Sequence, residues 1–159
     1  MKDLYKEKKY LEPLLILEHK IEAPKESVYQ AWTNLDMFKK WFCPTGFTIA
    51  KAEMTAEPGG YFSVHMKSPE GEIYPTRGEY ILLEKPDRIV YKDSWDDDRE
   101  NNDPVICEIR FNSEGTNTLL RLYSSFKSDK QKQDTFNTEV LAGWKMFLEN
   151  LNEVLKIKQ

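Results

Sequence analysis

Apolar residues recur at steps of three and four from Thr135 to Lys156: Phe136, Val140, Leu141, Trp144, Phe147, Leu148, Leu151, Val154 and Leu155. On a helix turning about 100° per residue they gather into one arc, while Glu139, Lys145, Glu149, Asn152, Glu153 and Lys156 fall outside it. The spacing predicts a long C-terminal helix, about 33 Å if wholly helical, whose broad stripe needs a concave partner such as a curved sheet. Gly143 stands at the edge of the stripe beside Trp144. A glycine there costs about 1 kcal/mol of helix stability relative to alanine, which predicts a close packing contact at that point.

The rest of the chain supplies the sheet. From Leu14 to Ala23 the pattern is strand-like, with Leu15, Leu17, His19, Ile21 and Ala23 on one face and Glu18, Lys20 and Glu22 on the other. Pro24 ends that strand, and Val28, Ala31 and Trp32 then predict a short helix over Lys25 to Thr33. A second short helix follows over Asp36 to Phe42, with Asn34 as its N-cap. Beyond Phe47 the pattern is almost continuously β, broken by turn residues at Pro58-Gly59-Gly60, Ser68-Pro69-Glu70-Gly71, Lys85-Pro86-Asp87 and Ser113-Glu114-Gly115. Six strands are predicted: Phe47 to Ala56, Tyr61 to Lys67, Ile73 to Glu84, Ile89 to Trp95, Val105 to Asn112 and Thr118 to Phe126. In the fifth of these Val105, Cys107, Ile109 and Phe111 oppose Ile106, Glu108 and Arg110, which predicts one wet face. Short turns rather than crossovers imply an antiparallel meander. The fold class is therefore α+β: a seven-stranded curved antiparallel sheet wrapped around the C-terminal helix, with two short helices between strands one and two.

Met1 to Pro13 is rich in Lys and Glu, without sustained periodicity, and is expected to be a solvated leader to one domain over residues 14–159. With 159 residues, 40% hydrophobic, one core is the default. A net charge of −4 gives no reason to expect nucleic acid or an anionic membrane as partner. Cys43 and Cys107 form no CxxC pair, and no apolar segment has the length of a signal peptide or membrane span, which predicts a reduced, cytoplasmic protein.

Candidate chemistry is sparse. His19 and His65 have no Ser, Cys or carboxylate placed beside them by spacing, so both are expected to be structural. The scattered histidines and cysteines lack the close pairs of a zinc site, and no cofactor is expected. The acidic run Asp96 to Asp103 has Cys107 where a calcium loop needs its twelfth-position glutamate, and it reads as a solvated loop. The aromatic residues, 13% of the chain, are numerous for one core; most are expected to be ordinary packing, and a subset to line a cavity.

A resemblance adds to this reading. The run Ile21-Glu-Ala-Pro-Lys-Glu-Ser-Val28, Lys40-Trp-Phe-Cys-Pro44, Glu57-Pro-Gly-Gly60, Gly78-Glu-Tyr80, Pro86-Asp-Arg-Ile-Val-Tyr91 and Gly143-Trp144 with Leu148 and Leu151 resemble, in order over about residues 14–156, the heat-shock-protein-90 ATPase activator homologues. These belong to the START-like, or SRPBCC, helix-grip superfamily (START/Bet v-like). The family's usual Trp-Trp pair stands here as Trp41-Phe42. The resemblance implies a stress-response setting and a cavity between sheet and long helix, used elsewhere in the superfamily for sterols, lipids, polyketides and plant hormones. On this topology Trp41, Phe62, Tyr91, Phe136, Val140 and Trp144 are expected to line that cavity, with His19 and Asn137 orienting the ligand. The expected function is a non-catalytic module, monomer or homodimer, for a small hydrophobic or amphipathic molecule. Two alternatives stand beside it: a chaperone-associated interaction protein, and a cyclase, dehydratase or hydrolase in which a fixed His or Tyr moves protons in the same cavity.

Overall fold

In a computed structural model, residues 12–100, 104–126, 128, 130 and 138–157 are described. The element order is β1 (Leu14–Ile21), α1 (Lys25–Thr33), α2 (Leu35–Phe38), β2 (Thr48–Met54), β3 (Tyr61–Lys67), β4 (Ile73–Glu84), β5 (Arg88–Trp95), β6 (Val105–Glu114), β7 (Asn117–Ser125) and α3 (Thr138–Ile157). The strands form a single antiparallel sheet in the order β1-β7-β6-β5-β4-β3-β2, so the first strand closes onto the last and the other five connections are successive hairpins. The predicted meander follows from its turn residues. Gly71 and Gly115, at φ +92° and +64°, occupy the left-handed backbone that two of the hairpins need.

Strand β1 departs from the expected alternation. Its register against β7 shifts between Leu15 and Leu17, so that Ile16 is the extra residue of a bulge. Leu15 consequently pairs with Tyr123 on the outer face and is 45% exposed, not turned inward as the sequence suggested. Helix α2 is also shorter than predicted. Asn34 caps it as expected, its side chain accepting from Met37 N at 3.1 Å. Past Phe38 the chain tightens into irregular turns, with Phe42 N donating to Phe38 O at 3.0 Å and Cys43 N to Trp41 O at 2.9 Å. Pro44 disfavours helix at the residue before it.

The core lies between the concave face of the sheet and the helices. Ile21, Phe62, Val64, Ile89, Tyr91, Cys107, Ile109, Phe111, Leu120 and Leu122 face it from the strands, and Val28, Ala31, Trp32, Phe38, Trp41 and Phe42 come from the α1–α2 segment. In α3 the stripe is buried at its C-terminal end, where Leu148, Leu151 and Leu155 are enclosed. It rises out of the core toward its start: Trp144 and Phe147 are half-buried, and Val140 is 41% exposed. Among the described residues the contact expected at Gly143 is absent, since a Cβ there would meet nothing within 4 Å outside its own helix. The hydrogen bonds that dock α3 are peripheral. Asn152 Oδ1 accepts from Glu22 N at 2.7 Å, and Asn150 Nδ2 donates to Cys43 O at 2.9 Å.

The outer face of the sheet is less wet than alternation suggested. Val90, Ile106, Glu108 and Ser63 are all buried on it. Glu108 accepts from Arg110 Nε, faces Arg88 Nη1 at 3.7 Å, and lies under the guanidinium that Arg110 lays over Tyr123. Two arginines therefore hold the buried carboxylate, as burial of a charge requires. Among the described residues no helix is long and apolar enough to cross a membrane.

Candidate functional site

Where α3 lifts away from the sheet, it leaves a cleft against edge strand β1. The cleft has a volume of about 280 Å³ and is lined by Ile16, Leu17, Glu18, His19, Leu141 and Lys145. Ile16, the extra residue of the bulge, lines the opening together with Leu17 and His19 of β1, and Leu141 and Lys145 line it from α3. His19 is held below its ordinary basicity, first by burial and then by Lys145, while Glu149 pulls the other way. At neutral pH it is an uncharged imidazole that can donate one hydrogen bond and accept another.

Three strands away from β1, the concave face of the sheet carries a separate group of polar side chains. Along β5, Ile89, Tyr91 and Asp93 alternate onto this face. Tyr91 stands opposite Tyr80 of β4 and Cys107 of β6, and Asp93 stands opposite Gly78 and Val105. The Phe62 ring covers Gly78 so closely that a Cβ there would overlap it. The ring packs 5.8 Å from Tyr80 and 5.2 Å from Tyr91. Tyr80 and Tyr91 are buried; the Tyr91 hydroxyl lies beside the Cys107 thiol, while among the described residues the Tyr80 hydroxyl, and Trp32 Nε1 on the α1 side of the core, have no hydrogen-bond partner. Burial raises both phenols, well above the ordinary value in the case of Tyr91. Half-buried Asp93 has no hydrogen-bond or ion-pair partner among the described residues, and burial pushes its carboxyl up to about 7. Cys107, 4.0 Å from Ser124 Oγ, is raised by burial and by Asp93.

The residues singled out from the sequence fall into three groups. Phe62 and Tyr91 meet on the concave face, and His19 lines the cleft. Trp41 is enclosed in the core, its Nε1 donating to Ala31 O at 3.0 Å and its indole 4.7 Å from that of Trp32. Trp144 packs on Phe42 and Phe147 at 6.3 and 5.9 Å, and Val140 lies at the exposed start of the stripe. Phe136 and Asn137 lie outside the described residues. Tyr80, Asp93, Leu141 and Lys145 were not singled out. Asp93 had a signal, because an acid two residues after Tyr91 continues the inward alternation.

A second cluster lies on the outer face. Asp96 Oδ2 accepts from Ser63 Oγ at 2.6 Å and meets His65 Nε2 at 3.0 Å, and these bonds hold its carboxyl below the usual range. The residue types are those of a hydrolytic triad but the order is wrong. The carboxylate sits between Ser and His, so the imidazole cannot take the serine proton. The cluster ties the end of β5 to β3. In the loop beyond, Asp97 is taken up by Arg99, which lies over Trp95 at 4.0 Å.

Solved structures of other proteins share this architecture. A Staphylococcus epidermidis protein solved by solution NMR superposes with a TM-score of 0.80 at 21% identity, over 92% of this chain and 91% of that one. A Nitrosomonas europaea crystal structure gives 0.78 at 22% identity, over 92% and 95%. CalU16 from Micromonospora echinospora gives 0.64 at 22% identity, over 92% and 77%. At these identities the likeness establishes the START-like helix-grip fold. A comparison with curated protein sequences found no match. The model for "Activator of Hsp90 ATPase homolog 1-like protein" matches residues 22–156, and the chain belongs to that family.

Proposed function

We propose that this chain is a non-catalytic helix-grip module that holds a small hydrophobic or amphipathic molecule between the sheet and the C-terminal helix, in the cytoplasm. The observation that carries the reading is the apolar cleft of about 280 Å³ between β1 and α3. Its size is near the lower bound of small-molecule pockets, and its wall sets the apolar Ile16, Leu17 and Leu141 beside the polar Glu18, His19 and Lys145, the mixed lining an amphipathic molecule needs. The free state of Cys43 and Cys107 agrees with a reducing compartment. Proton-moving chemistry in the same place has less support: among the described residues lining the cleft, His19 has no serine, cysteine or carboxylate hydrogen-bonded to it.

An environment-sensitive apolar dye tests the reading. The parent is expected to bind it at about one site, and Leu141→Trp, which fills the cleft from the helix side, is expected to abolish binding while leaving the fold intact. A parent that binds no dye overturns the reading and leaves a chaperone-associated interaction protein ahead.

A further inference from the structure

The charged groups around the cleft between β1 and α3 are unevenly answered. Glu18 belongs to the outward alternation of β1 and accepts from Arg121 Nε of β7 at 3.1 Å, so its charge is neutralised away from the opening. Lys145 lines the cleft from α3 and makes no hydrogen bond or ion pair among the described residues, and neither does His19, half-buried on the β1 wall. Burial, with the Lys145 charge acting the same way, lowers the basicity of the imidazole, so the two groups stand within electrostatic reach of one another. Unpaired lysines are common on a protein surface. What sets Lys145 apart is its place, at the mouth of an apolar hollow made by Ile16, Leu17 and Leu141 and beside a second hydrogen-bond donor. A hollow elsewhere, lined by Lys25, Arg88 and Arg110, has its cations taken up by Asp87, Glu84 and Glu108.

We propose that the molecule held in this cleft is an amphipathic carboxylate, whose head is bound by the Lys145 ammonium and the His19 imidazole and whose apolar body lies along Ile16, Leu17 and Leu141. The proposal rests on the ligand-holding reading above and specifies the chemical class. A carboxylate only accepts hydrogen bonds, and the cleft offers it an ammonium with three N–H donors and an imidazole with one. An alkylammonium would set a second cation beside Lys145, and an alcohol would leave Lys145 without a counter-charge. Glu149, which also acts on His19, is exposed and does not line the cleft. Covering Leu17 and Leu141 takes apolar surface out of water and strengthens the pairing of head and ammonium at the rim.

A bound carboxylate favours the protonated imidazole, which burial and Lys145 disfavour in the free protein. Affinity is therefore expected to rise as pH falls toward the range of His19, the ligand carboxylate staying ionised above pH ~5. The charged groups that act on His19 are Glu149 and Lys145 from α3, while Glu18 and Lys20 on its own strand and Arg121 on β7 alternate to the outer face. Of all these, His19 is the group whose ordinary range lies near neutrality.

Calorimetric titration with decanoate, decanol and decylamine at about pH 5.5 and about pH 8 tests the proposal. Decanoate is expected to bind more tightly than either of the others, and about threefold or more tighter at the lower pH than at the higher. Lys145→Gln is expected to remove about fivefold of the decanoate affinity and to leave decanol binding unchanged, and His19→Gln is expected to remove the pH dependence. Decanol or decylamine binding as tightly as decanoate, a decanoate affinity unchanged in Lys145→Gln, or a pH dependence that survives in His19→Gln overturns the carboxylate assignment and leaves the ligand site standing. Binding of none of the three overturns both. Acetate, the head without the body, is expected to bind far more weakly than decanoate, and equal binding overturns the proposal. In the unmodified protein, imidazole NMR gives an independent reading. The His19 midpoint is expected to rise by at least about half a pH unit when decanoate is added, and an unmoved midpoint overturns the proposal.

Discussion

Asp93→Asn is informative about stability. Burial raises the Asp93 carboxyl from its ordinary 3.8 to about 7, so the folded chain keeps a proton that the unfolded chain has already released. For a raised acid, the stabilising contribution of that proton is fully present below the unfolded value and is lost as pH rises through the folded one. Above about pH 7 the folded state must hold a partly desolvated carboxylate or pay to protonate it. The interval from 3.8 to about 7, at about 1.36 kcal/mol per pH unit, sets a ceiling of about 4 kcal/mol. Asp93 is only half-buried, and residual solvent screening brings the expectation to about 2–3 kcal/mol. Asparagine keeps the shape and removes the charge. The variant is expected to match or fall slightly below the parent near pH ~4 and to exceed it by about 2–3 kcal/mol near pH ~8. Urea midpoints of the two proteins at each pH provide the measurement, because taking the difference cancels the carboxylates and histidines they share. A difference that stays flat across this range would refute the claim that Asp93 is buried without a partner.

Gly143→Ala is expected to stabilise the protein by about 0.5–1 kcal/mol, because a Cβ there meets nothing and the helix gains propensity; a loss of stability in urea denaturation would reveal a close neighbour. Leu151→Ala, at a fully enclosed position, is expected to cost about 2–5 kcal/mol. Trp144→Ala, at a half-buried one, is expected to cost less, about 1–3 kcal/mol. Denaturant midpoints that rank the two the other way round would mean that the helix is gripped at its start rather than its end.

The topology was legible because local signals and long-range pairing agree: each hairpin has its turn residues, and the stripe on α3 has a length that only a sheet can cover. Features set by a single extra residue or by distant neighbours were not. Leu15 looked like an inward position until the bulge at Ile16 moved it to the outer face. Ile106 and Glu108 looked wet because alternation reports which side a residue is on, not what closes over it. Of the candidate site, His19, Phe62 and Tyr91 were visible as a polar residue and aromatics on inward positions. Asp93 sat in the same alternation, but its isolation depends on which way Arg77, Lys92, Arg88 and Arg110 turn, and that is fixed by register across three strands. Asp96 meets His65 from 31 residues away, a pairing that no local spacing encodes.

The central claim is that the cleft between β1 and α3 holds a ligand. Amide and methyl NMR spectra of the protein titrated with a twelve-carbon alkyl probe test this most directly. The account predicts saturable shifts centred on Ile16, Leu17, His19, Leu141 and Lys145, with the outer-face residues Ser63, His65 and Asp96 unmoved. Spectra that do not change, or changes centred on the outer face, would contradict it.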